Sequence, residues 1–192
     1  MTTESVAPAP TSAQAEPPQP DFFWERPNRA NPRSGADLAA LRRGVGREAG
    51  SVPEMWGFYR MLTATGRASE KLQAEHTALT LYAVHQQSIS DSMHRPGVGL
   101  GRALLRLRQS GTFSVDAVDR RFNAAATATS LDEASYHLRG LVRQLRGIPQ
   151  GLDYTRLFQD LVAWQVPEQI STVRRRWGRD YFTGRDQTEK AI

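Results

Sequence analysis

Of the 25 Lys and Arg residues in this 192-residue chain, 23 are arginines, and many recur three, four or seven positions apart. Arginine presents a planar fork of donors that matches phosphate and carboxylate oxygens, and it keeps its charge in any protein environment. The chemistry on offer is therefore anion binding. A Lys-poor, Ala-rich chain is also what a GC-rich genome encodes, so the placement of the arginines decides their meaning, and their number does not.

Placement is read by helical projection. At 100° per residue, Arg139, Arg143 and Arg146 fall within about 60° of one another. Leu138, Leu141, Val142 and Leu145 take a different sector. A solvated helix face ordinarily mixes both signs, yet no carboxylate is interleaved here. Arg102 and Arg106, four apart, repeat the arrangement opposite Leu100, Leu104 and Leu107. Arg108 falls at the edge of that apolar sector, where pairing with a carboxylate is expected. Arg120 and Arg121 follow beside Asp116 and Asp119, so either can instead be an internal ion-pair partner. Near the C-terminus, Ile170, Val173, Trp177 and Tyr181 form a core stripe, with Arg175 and Arg179 opposite and Arg174 and Arg176 flanking. Cations so placed neutralise phosphates without reading bases, because base readout also calls for Asn, Gln or Ser on the same face.

Other chemistries find no constellation. The chain has no cysteine, which removes disulfides, thiolate zinc sites and a Cys nucleophile, and suits the cytoplasm. His76, His85, His94 and His137 are read as packing or surface residues with no second metal ligand at helical spacing. Gly97-Val98-Gly99-Leu100-Gly101-Arg102 lacks the Gly-Lys-Ser/Thr ending of a phosphate loop and follows no strand, so it reads as a helix connector. There is no nucleophile elbow, zinc signature or helix-turn-helix spacing. No catalytic residue, metal or cofactor is expected.

The elements that position the arginines are helices throughout, with no strand-like alternation. Helices are expected over Asp37–Glu48, from Pro53 to Leu62, over Ser69–His94 and over Leu100–Gln109. Others follow from Ser114 to Ala126, from Ser130 to Gly147, from Asp153 to Trp164 and from Pro167 to Phe182. Ser114, the capping-box string Ser130-Leu131-Asp132-Glu133 and Asp153 supply N-caps. The fold class is all-α: a compact bundle of about eight helices with a disordered Pro-rich N-terminal tail. Residues 1–34 form that tail, 35–185 the helical domain and 186–192 a polar end. Seven of the 11 prolines lie in the tail, which cannot bury enough apolar surface to order itself. Phe22-Phe23-Trp24 is the exception and is expected to dock on the body, with a partner as the alternative. The tail carries three arginines against four carboxylates, a net −1, so the rest of the chain holds +6 and the whole chain +5. That excess favours an anionic partner. No apolar run approaches a membrane span.

Particular strings carry a family resemblance. Ala36-Asp37-Leu38-Ala39-Ala40-Leu41-Arg42-Arg43-Gly44-Val45-Gly46-Arg47-Glu48, followed by Val52-Pro53-Glu54-Met55-Trp56, resembles the opening of the CasB family. That family is the small subunit of the type I-E CRISPR surveillance complex, Cascade. Gly101-Arg102-Ala103-Leu104-Leu105-Arg106-Leu107-Arg108 is similar to its central segment. Arg121-Phe122, Leu138-Arg139, Arg143 with Leu145, Tyr154 to Trp164 and Val173 to Phe182 follow in order. The resemblance implies an all-α protein without enzymatic activity, present as two copies beside other Cascade subunits. It would contact CRISPR guide RNA and the target and non-target DNA strands, with little sequence preference. By position it carries over Arg42, Arg43, Arg102, Arg106, Arg121, Arg139 and Arg143 as strand-binding residues. Arg120, Arg146 and Arg175 rest on the helical-face argument alone. The Pro-rich start departs from the family pattern, so nothing transfers to it. A helical adaptor that binds acidic protein surfaces is the alternative that the same cations allow.

Overall fold

The structure, a computed structural model, describes residues 21–26, 35–63 and 67–183. Seven α-helices and one 3-10 turn make up its regular elements: α1 Gly35–Arg43, the 3-10 turn Pro53–Phe58, α2 Glu70–His85, α3 Leu100–Gln109, α4 Val115–Thr127, α5 Leu131–Gly147, α6 Tyr154–Trp164 and α7 Pro167–Phe182. Among the described residues no strand forms, and the one β-type pairing is an isolated parallel bridge between His94 and Leu152. The all-α bundle expected from periodicity is the fold. The reading of residues 1–20 and 27–34 as tail, and of 186–192 as polar end, lies outside the described residues.

The local signals act where the sequence placed them. Ser114 Oγ accepts from the Ala117 amide at 3.3 Å, Ser130 Oγ from Glu133 at 3.1 Å and Asp153 Oδ1 from Arg156 at 2.9 Å. Each satisfies an amide that the helix start would leave without a partner. The return bond of the capping box is shifted by one residue. Glu133 accepts from the Thr129 amide and hydroxyl, at 2.7 and 3.0 Å, instead of from Ser130.

Three boundaries differ from the projection, two of them for a tertiary reason. Helix α1 stops at Arg43, not Glu48, because the chain turns at Gly44 to let Met55 and His76 in. A Cβ at Gly44 would stand 2.2 Å from Met55 Sδ. The second helix is only a 3-10 turn ending at Phe58. Helix α2 ends at His85, well short of His94, because Gln86 organises the following loop. Its amide donates to the carbonyls of Ile89 and Asp91, at 2.7 and 2.8 Å, and its Oε1 accepts from the Met93 amide at 2.9 Å. That loop is then pinned to the α5–α6 connection by Arg95 N to Leu152 O (2.9 Å), Leu152 N to Met93 O (3.0 Å) and Gly97 N to Asp153 Oδ2 (2.7 Å).

Helix α2 lies at the centre, packed by α1, α5 and α6 and buried on nearly every side from Ala74 to His85. Such a helix needs no polar face. Helix α3 packs most closely on α7. A Cβ on Gly101 would stand 2.4 Å from the Trp177 carbonyl oxygen, so this glycine is required by helix approach and serves no phosphate loop. Val173, Trp177 and Tyr181 are buried, as the stripe demanded.

Phe22, Phe23 and Trp24 complete the core from outside the helical bundle. Phe22 stacks on Trp24 at 4.7 Å and meets Phe158 at 4.9 Å, and Phe23 stands edge-on to Phe58 at 5.2 Å. Trp24, 1% exposed, donates from Nε1 to Thr155 Oγ1 at 2.9 Å. The Arg60 guanidinium covers the Phe22 ring at 4.0 Å.

Candidate nucleic-acid interface

The fold sorts the arginines by partner. Arg108 holds Asp119 with Nε and Nη2 at 2.8 and 3.3 Å. Arg156 lies 3.7 Å from Asp180, and Arg179 2.9 Å from the same carboxylate. Arg176 bonds Asp160, whose second oxygen accepts from Trp177 Nε1 at 2.6 Å. Arg174 donates to the Ala128 carbonyl at 2.7 Å and covers the Trp164 ring. Arg108, Arg156, Arg174 and Arg176 hold helices together, whereas Arg179 pairs within α7. Arg108 pairs as its edge position suggested.

The site residues expected from the sequence fall mostly outside that set. Arg102 and Arg106 project from α3 opposite buried Leu100, Leu104 and Leu107, and Arg106 is exposed. Arg120 and Arg121 are exposed on α4. Asp119 is taken by Arg108 and leaves its neighbour Arg120 alone. Arg139 is half-buried and Arg143 exposed, both off the buried arc of α5. Among the described residues, no carboxylate stands within ion-pair distance of these six. Arg42 is half-buried on α1, and its neighbour Arg43 lies 3.4 Å from Glu54. That pair is largely solvent-exposed, so it is weak and leaves the cation open to exchange. Arg146 donates to Gln87 Oε1 at 3.0 Å and Arg175 to Thr172 Oγ1 at 3.0 Å, neutral partners that leave both charges uncompensated.

Electrostatics ties one pair together. The Arg139 guanidinium is held below its ordinary pKa, first by burial and then by the positive charge of Arg143, with Tyr136 opposing. Two like charges one turn apart in the second half of α5, with no carboxylate among the described residues paired to either, create the local field that an anion relieves. Arg139 also lines a cleft of about 660 Å³ between α2, α5 and the turn after α1. Arg47 shares that cleft and was not among the residues that projection selected. It follows Gly46, whose φ of +72° takes the chain out of helical geometry, so a helical wheel could not place it.

No catalytic or metal constellation forms among the described residues. His76 sits between the Tyr59 hydroxyl at 2.7 Å and the Gly44 carbonyl at 2.9 Å. Glu133 does stand one turn before His137, contrary to the reading of the spacings, with 4.0 Å between them. It is already engaged as the α5 capping carboxylate, and no group of three potential ligands gathers anywhere in the described residues.

The fold and these faces define a class: an all-α protein whose uncompensated arginines point outward from several helices. The sequence profile of the CRISPR-associated protein Cse2 family matches residues 37–182. The CRISPR-associated protein Cse2 of Thermus thermophilus is 31% identical over 157 residues, spanning 81% of this chain and 84% of that protein. The crystal structure of CasB from Thermobifida fusca is 35% identical, with a TM-score of 0.64 over 79% of this chain and 86% of that one. A chain of a CRISPR RNA-guided surveillance complex is 29% identical, with a TM-score of 0.59 over 76% and 81%. The chain belongs to the CasB/Cse2 family of the type I-E Cascade.

Proposed function

We propose that this protein is a non-catalytic, nucleic-acid-binding subunit of a type I-E Cascade complex in CRISPR defence. Its arginine faces hold the phosphates of guide RNA and of target and displaced DNA strands in the R-loop. Its partners are the other Cascade subunits and a second copy of itself. The carrying observation is the Arg139–Arg143 pair, two neighbouring cations in the second half of α5, where no carboxylate is interleaved and, among the described residues, none stands within ion-pair distance of either. The surveillance-complex chain of the same fold supports the setting. R-loop formation exchanges one duplex for another of similar stability, so small backbone contacts tip it. Several arginine–phosphate contacts at ~1 kcal/mol each are sufficient. Sequence choice is left to the guide.

Reversal of the pair, Arg139→Glu with Arg143→Glu, tests this. Helical circular dichroism stays unchanged because neither side chain lies on the buried arc of α5. Affinity for single-stranded DNA at ~0.1 M salt falls at least tenfold, and the slope of log K against log salt becomes shallower by about 1.4 for the two lost contacts. An unchanged affinity and slope across the titration refutes the assignment. Retained DNA binding with loss of affinity for an acidic polypeptide would point to the adaptor reading.

A further inference from the structure

Beyond phosphate neutralisation, α5 carries a group the arginine argument does not use. Tyr136 is 67% exposed, the most exposed of the large hydrophobic side chains among the described residues. The other exposed aromatics are accounted for. Trp56 is tied by Nε1 to the Gly50 carbonyl at 2.7 Å, and Phe182 packs on Tyr181 at 4.9 Å. Among the described aromatic rings, Tyr136 meets that of His137, edge-on at 5.3 Å. It precedes Arg139 by three residues and Arg143 by seven, which places all three side chains within about 60° on one face.

The surroundings leave the ring approachable. Helical side chains lean toward the N-terminus, so a side chain at position 140 would lie over the turn that bears Tyr136. Position 140 is glycine, and a Cβ there would meet nothing within 4 Å. On its other side Tyr136 lines the 660 Å³ cleft together with Arg47, Gln73 and Arg139. Glu48 and Asp132 line the same cleft. Asp132 stands two turns nearer the N-terminus of α5 than Arg139, ~10 Å along the axis, so a phosphate held by Arg139 and Arg143 lies toward the C-terminal end, away from it. Those two arginines are one turn apart, ~6 Å along the axis, of the order of one nucleotide's backbone repeat.

We propose that Tyr136 is a stacking platform for one base of a single DNA strand whose phosphates lie on Arg139 and Arg143. The inference rests on the phosphate-binding reading of that face. A duplex cannot use the platform, because its base faces are already stacked on each other. Stacking tolerates any base, as every base has a π-face.

The test compares the full chain with Tyr136→Ala and Tyr136→Trp, using a labelled mixed-sequence DNA strand and a strand of equal length made of abasic sites. Tyr136→Ala weakens binding of the mixed strand about tenfold, Tyr136→Trp retains it, and the abasic strand is bound equally by all three. The salt slope does not change. Gly140→Gln, which introduces a better helix former, also weakens the mixed strand by covering the ring. Equal affinity of Tyr136→Ala and the parent for the mixed strand overturns the proposal. So does an equal loss on the abasic strand, or a loss confined to RNA. The two readings separate cleanly. A normal salt slope in the Arg139→Glu, Arg143→Glu chain removes the phosphate-binding reading, whereas a Tyr136→Ala chain without effect removes only the stacking.

Discussion

His85 shows what burial does to a single titratable residue in this core. It is fully buried on α2, with Nδ1 3.0 Å from the Tyr154 hydroxyl oxygen. Burial pushes its pKa down from 6.5 to about 4. His76 is shifted in the same direction by the same cause. Because the folded value lies below the unfolded one, the unfolded chain takes up the proton first as pH falls. The contribution is complete above about pH 6.5 and is lost progressively toward about pH 4. For His85 it amounts to about 3 kcal/mol. Glu75 and Asp160, whose carboxyls burial raises, act in the opposite sense. The histidine is therefore read as a difference: in urea unfolding at pH 7 and pH 4.5, His85→Gln shows a smaller loss between the two than its parent. An identical loss refutes the shift. The sequence left this residue as either a packing or a surface histidine. It could not show the shift, which arises from burial among helices that only the tertiary fold brings together.

At the level of elements, the aromatic segment before α1 contributes most beyond the helices themselves. Residues 21–26 lie outside the part of the chain that the family profile matches, 37–182, yet Trp24 is among the largest fully buried side chains. Trp24→Ala removes the indole from between Tyr82, Tyr154 and Phe22 and leaves Thr155 without its donor. The expected cost is about 3–5 kcal/mol, or roughly 10 °C in melting temperature for a chain of this size. Thermal melting followed by circular dichroism checks it, and a change below ~2 °C would exclude the docking as a stabilising contact. The helices were legible because caps and 3.6-residue periodicity are local signals. Their ends were less so. Gly44 and Gln86 terminate α1 and α2 through Met55, His76 and the Asp91–Met93 loop, contacts no window of periodicity contains.

For the whole molecule, the arginine excess separates into two populations. One joins helices: Arg108 to α4, Arg156 to α7, Arg176 to α6. The other faces outward from α3, α4 and α5. If that second population holds a guide-bearing assembly, affinity-tagged protein expressed alongside its own type I-E genes should co-purify with a discrete guide RNA. The four-residue reversal of Arg102, Arg106, Arg139 and Arg143 should lose most of that RNA in a high-salt wash. Recovery of protein partners alone, in both, would contradict the role. By itself the sequence determined that the fold is all-helical, that α3 and the second half of α5 carry no interleaved carboxylate, and the family. Each of these is written in residue order, at spacings of three, four and seven. Only the tertiary structure decided which arginines are spent on Asp119, Asp160 and Asp180, that Arg47 joins Arg139 at one cleft, and that Tyr136 stands open beside it. Ion pairing and exposure depend on distance through space, and helix packing sets that distance between residues the sequence holds far apart.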